Sequence, residues 1–90
     1  MHNEDENFVN TQEIDVKLEI SKKLKFWRGT YNLSQRRLSK ISGVSAKTIG
    51  RIEDVNSKFV PSLSTIIRLA NALRINFSWL LVDFSKEELI

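Results

Sequence analysis

From Leu33 to Ile52 the chain reads LSQRRLSKISGVSAKTIGRI, and the glycine near its middle constrains the fold more than any other residue. Gly43 separates two stretches of helical apolar spacing, and it supplies the positive φ that a tight turn between them requires. Before it, Ser34 is placed to cap a helix over Gln35 to Ser42, with Leu38 and Ile41 facing inward. After it, Ser45 is placed to cap a helix from Ala46 to about Asp54, with Ile49 and Ile52 facing inward. Small Ser39 lets the first of these helices approach the second closely. The pattern predicts two very short helices meeting at a sharp corner.

The rest of the chain is also helical in pattern. Only three glycines and one proline punctuate the 90 residues, whereas a β-sandwich or barrel needs turn signals roughly every 8–12 residues. Val16, Ile20, Leu24, Trp27 and Tyr31 recur at helical intervals, which predicts a helix from about Val16 to Tyr31. Asn32 follows, a residue that tolerates the left-handed conformation ending a helix. Residues 55–61 read as a loop. Ser62 is placed to cap a fourth helix carrying Leu63, Ile66, Ile67, Ala70 and Leu73. After a short connector at 74–76, Ser78 is placed to cap a last turn, Trp79 to Leu81. Residues 1–13 lack periodicity. The expectation is an all-α chain of five helices: a flexible acidic arm over 1–15, a domain over 16–81, and a tail over 82–90. The tail's Val82, Phe84, Leu89 and Ile90 make it a candidate dimerisation segment.

Composition narrows the chemistry. Ninety residues leave room for one domain, and 41% hydrophobic with 28% charged residues suits a soluble globular one. There is no cysteine, so disulfides and thiolate metal sites are excluded, and the single histidine, His2, offers no basis for a triad or zinc site. Acidic clusters occur at Glu4, Asp5 and Glu6 and at Glu87 and Glu88, near the chain ends, where they read as solvated charge. No glycine-rich phosphate loop is present. We therefore expect no enzyme, no cofactor and no metal. No apolar run approaches the ~18 residues of a membrane span, and the acidic, polar N-terminus is no secretory signal. The expected location is cytoplasmic, with the nucleoid.

A net charge of +3 conceals a strong asymmetry. Residues 1–19 hold six acids against Lys17, whereas residues 20–60 hold ten bases against Glu53 and Asp54. A basic stretch can be mere solvated surface; this density of bases around one short motif points to a polyanion. Two short helices joined at a glycine turn are the sequence form of a helix-turn-helix. Anchoring by Val44, Ile49 and Ile52 leaves Ala46, Lys47, Thr48, Gly50 and Arg51 on the opposite face of the second helix. Small, basic and hydrogen-bonding side chains of this kind can enter a DNA major groove.

Leu24 to Leu81 resembles the Cro/CI (Xre-type) helix-turn-helix family of bacterial and phage repressors. The likeness rests on Leu24 with Arg28, then Leu33-Ser34-Gln35, Leu38-Ser39-Lys40 and Ser42-Gly43-Val44-Ser45. It continues through Thr48-Ile49 and Ile52-Glu53 to Pro61-Ser62-Leu63, Leu69-Ala70-Asn71-Ala72-Leu73 and Phe77-Ser78-Trp79-Leu80-Leu81. The resemblance implies a lambda-repressor-like domain whose second and third helices form the helix-turn-helix, with the third as recognition helix. It implies base contacts from Ala46, Lys47, Thr48, Gly50 and Arg51. Phosphate contacts are implied for Ser34, Gln35 and Arg36 and, beyond the third helix, for Asn56, Ser57 and Lys58. Gln35 would also brace the recognition helix, and Arg28 and Glu53 match a family pair that forms a largely buried salt bridge. The chain departs from the family at Ser39, where alanine is usual, and at Asn32 and Arg74, where glycine is usual. Asp54-Val55 lengthen the loop toward Pro61, and Phe26 stands where a polar residue is usual, able to receive Phe8 or Val9 from the arm.

The expected function is that of a homodimeric, sequence-specific regulator of transcription, a repressor that occludes a near-palindromic double-stranded operator. Two rivals stand beside it. One is an antitoxin-type autoregulator that also binds a toxin. The other is a protein-interaction module on the same fold, against which the basic stretch argues.

Overall fold

The computed structural model describes the backbone of residues 2–81 and the side chains of residues 16–81. Four α-helices follow one another: α1 (His2–Thr30), α2 (Gln35–Ser42), α3 (Ala46–Glu53) and α4 (Leu63–Leu73), before a 3₁₀ turn over Phe77–Leu80. Among the described residues there is no strand. Ser34, Ser45 and Ser62 sit in extended backbone, and each accepts a hydrogen bond from the amide three residues on. Such N-caps stabilise a helix by about 0.5–2 kcal/mol each.

The last element differs from expectation. It is a single 3₁₀ turn rather than a fifth α-helix, and its cap is Asn76, not Ser78. The Asn76 side-chain oxygen accepts from both the amide and the hydroxyl of Ser78, so the turn starts one residue before that serine. The first helix also differs: it begins at His2 instead of near Val16. Apolar periodicity is silent there. The expected meeting of Phe8 or Val9 with Phe26, and the candidate dimerisation tail over 82–90, lie outside the described residues.

Three corners in left-handed backbone show how local chemistry sets direction. Gly43 adopts φ 80° and its amide donates to the Ser39 carbonyl. Asn32 and Arg74 both adopt φ 58°, the left-handed region that most residues avoid. At each, two amides turn back to the helix end: Leu33 N to Arg28 O and Asn32 N to Gly29 O, then Ile75 N to Ala70 O and Arg74 N to Asn71 O. Both corners are Schellman closures.

Helices α1 to α4 and the final turn bury one shared core. Leu24, Leu38, Ile49 and Ile52 are wholly inaccessible, flanked by Ile20, Leu69, Leu73 and Leu80. Full burial of such a side chain contributes about 1.5–3 kcal/mol. Trp27 of α1 stacks on Trp79 of the final turn with ring centroids 5.4 Å apart, joining that turn to α1. Five residues of the expected apolar stripes face out instead: Val16, Tyr31, Ile41, Leu63 and Ile67 are 40%, 47%, 50%, 59% and 38% exposed. For Ile41 the reason is geometric. An eight-residue helix packed through Leu38 presents one narrow stripe, and buried Val44, beyond the turn, takes the next place in the core. Among the described residues no helix is long and apolar enough to cross a membrane.

Candidate nucleic-acid interface

Helix α3 has two unlike faces. Ile49, Ile52 and Glu53 point into the domain and are buried. Ala46, Lys47 and Arg51 are exposed, and Lys47 and Arg51, four residues apart, share one side. The other two residues expected on the open face are half-buried. The Thr48 hydroxyl lies 2.9 Å from the Ser45 hydroxyl, and the Thr48 amide donates to that same oxygen, so this side chain belongs to the helix cap. Gly50 lies under α2, where a Cβ would stand 3.6 Å from the side-chain oxygen of Gln35.

That distance is ordinary van der Waals contact, so packing does not demand a glycine. Gly50→Ala should raise stability by up to about 1 kcal/mol through helix propensity, a gain of roughly 4–8 °C in a thermal melt. A lower Tm would show that the Gln35 amide cannot yield. If the glycine serves close approach to DNA, the more stable variant will bind duplex more weakly.

Glu53 is the hub that joins three elements. The Arg28 guanidinium donates to both of its carboxylate oxygens, Nε at 2.7 Å and Nη2 at 2.9 Å. The Gln35 amide donates to Oε1 at 3.0 Å. Arg28 also donates to the Leu33 carbonyl at 2.7 Å, so one side chain ties α1 to the start of α2 and the end of α3. The Glu53 side chain is only 3% exposed and that of Arg28 20%. The hydrogen bond to Glu53 raises the Arg28 pKa above its ordinary value, against the lowering effect of burial. The pair leaves no net charge inside while it fixes how α3 sits.

The residues expected on phosphate flank this hub. Ser34, Gln35 and Arg36 open α2, whose N-terminus lies against the second half of α3 through Gln35; Ser34 and Arg36 are exposed and Gln35 half-buried. Asn56, Ser57 and Lys58 lie in the loop from α3 to α4, with Asn56 and Lys58 exposed. That loop is a tied structure. The Asn56 amide donates to the Asp54 carboxylate, the Ser57 amide to the Asp54 carbonyl, and the Phe59 amide to the Ser57 hydroxyl. Arg37, exposed beside Arg36, adds to the same basic surface.

Sequence reasoning missed two residues of α1 that reach the end of α3 and the start of this loop. Lys17 Nζ donates to the Asp54 carbonyl at 3.3 Å, and Ser21 Oγ donates to the Ile52 carbonyl. Their spacing of four residues beside the Ile20–Leu24 stripe placed them next to the core, but nothing local named their acceptors. Among the described residues there is no group of acidic or histidine side chains able to hold a metal ion.

The fold is shared with known helix-turn-helix proteins. A family model described as Helix-turn-helix, HTH_3, matches residues 24–80. No curated protein matches the chain. Among solved structures, the restriction-modification controller protein C.AhdI from Aeromonas hydrophila is similar with a TM-score of 0.66 and 29% identity, over 72% of this chain and 96% of that one. An HTH_3 family transcriptional regulator from Vibrio cholerae is similar with a TM-score of 0.70 and 28% identity, over 84% of this chain but only 40% of its own.

Proposed function

The chain belongs to the HTH_3 helix-turn-helix family, and we propose that this DNA-binding transcriptional regulator works as a homodimeric repressor of a near-palindromic operator. One observation carries the reading: α3 is anchored by two wholly buried isoleucines, Ile49 and Ile52, and turns Lys47 and Arg51 to solvent. A helix held that rigidly can present the same side chains to base edges at every encounter. In the proposed complex α3 lies in the major groove, Lys47 and Arg51 reach bases, and Ala46, Thr48 and Gly50 keep the approach close. Ser34, Gln35, Arg36, Asn56, Ser57 and Lys58 meet phosphate and set the register. A dimer places two such helices about 34 Å apart, in successive major grooves. Repression then needs no chemistry, only occupancy. The likenesses to a restriction-modification controller protein and to a transcriptional regulator support this role.

The test is selection of bound duplexes from a random pool, followed by titration of the best one at several salt concentrations. Two related half-sites should emerge. With four to six bases on phosphate, log affinity should fall with log salt at a slope of roughly −4 to −5 per subunit. Binding indifferent to salt would remove the DNA reading, and a single half-site bound by monomer would remove the dimer.

A further inference from the structure

We propose that Lys17 and Ser21 are positioning residues for DNA binding, holding the loop from α3 to α4 in the shape with which it meets phosphate. The assignment rests on the DNA reading above. The last carbonyls of a helix have no partner within it. At the end of α3 they find theirs on α1, more than thirty residues back in the chain. Ser21 is wholly buried and donates to the Ile52 carbonyl. Lys17 donates to the Ser21 hydroxyl at 3.0 Å, to the Asp54 carbonyl at 3.3 Å and, more loosely, to the Ile52 carbonyl at 3.5 Å.

The Asp54 carbonyl is where this cap meets the loop. It accepts from Lys17 on one side and from the Ser57 amide at 3.0 Å on the other. The Asp54 carboxylate holds the Asn56 amide. Loosening Lys17 therefore frees the residue from which Asn56, Ser57 and Lys58 are hung. An ammonium has three N–H groups, and those of Lys17 have three acceptors within the protein. Lys17 is thus committed inward, unlike the exposed Lys58, and its positive charge also complements the negative end of α3.

Ser21→Ala separates positioning from charge, because it removes the perch of Lys17 and no charge. If the loosened loop gives up one phosphate contact in the complex, affinity near ~0.1 M salt falls on the order of tenfold. The loss should be equal on the selected operator and on random duplex. The salt slope should become shallower although every base remains, which partial unfolding alone would not cause. Amide exchange at Asn56 and Ser57, measured without DNA, should accelerate while that at the buried stretch of α4 does not. Lys17→Met should give the same exchange pattern, and it serves in place of Ser21→Ala if the buried substitution prevents folding. Wild-type affinity and salt slope in a folded Ser21→Ala protein would overturn the assignment, whatever the loop amides do. A wild-type chain that binds no duplex would instead overturn the DNA reading, and this assignment with it.

Discussion

Arg28→Ala should cost about 3–5 kcal/mol of stability, the loss typical of a buried charge stripped of its partner. The substitution leaves Glu53 inside the domain with the Gln35 amide as its remaining hydrogen-bond donor. It also removes the donor to the Leu33 carbonyl, which holds the turn before α2. A domain of this size has only about 5–15 kcal/mol in total, so a large share of the molecules should be unfolded at modest temperature. Each kcal/mol corresponds to roughly 4–8 °C at the midpoint, and the melting curve should shift by well over 10 °C. Arg28→Lys should fall between the two, because a lysine keeps the charge but cannot offer the planar two-point grip. Replacing both partners with apolar residues of similar volume should cost less than Arg28→Ala, since no charge is then stranded. A thermal melt of Arg28→Ala within a degree of wild type would show that the pair contributes nothing to the fold.

The contrast between what was legible in sequence and what was not follows the range of the interactions. Ser34, Ser45 and Ser62 could be read as caps because each bonds an amide three residues away. Gly43 and Asn32 could be read as corners because φ is a property of one residue. Leu38, Ile49 and Ile52 followed from spacing. Exposure of Ile41 did not, because it depends on which part of a short stripe the other helices cover. The Asn76 cap lost to Ser78 in the sequence reading because both residues cap well, and only the turn's register decides between them. The helical start of α1 was missed because apolar periodicity is silent there. For the candidate site, the basic face of α3 was readable from the anchoring of its other side. Pairing of Arg28 with Glu53 came only through the family resemblance, and the Lys17–Ser21 cap not at all. Both join residues at least 25 positions apart, where pattern within a helix carries no information.

Arg51→Ala should cost about 1–3 kcal/mol on the best operator, and less on random duplex. Arg51 and Lys47 are the two bases on the open side of α3, but they are not equivalent. A guanidinium is a rigid fork that can hold guanine O6 and N7 together, so it discriminates a base pair. An ammonium is a point charge that serves a base or a phosphate alike. Loss of Arg51 should therefore relax preference at one base pair in each half-site, giving a difference of about 5–150-fold between wild type and variant on the operator alone. Stability should scarcely change, because the side chain is exposed and surface substitutions usually stay within about 0.5 kcal/mol. Lys58→Ala, out on the loop, should behave differently: all sequences weaken about equally, and the salt slope falls by about one. The measurement is a pair of titrations for each variant, on selected operator and on scrambled duplex. If Arg51→Ala lowers both affinities by one factor, Arg51 grips phosphate, and the burden of reading the operator passes to Lys47 and the small residues beside it.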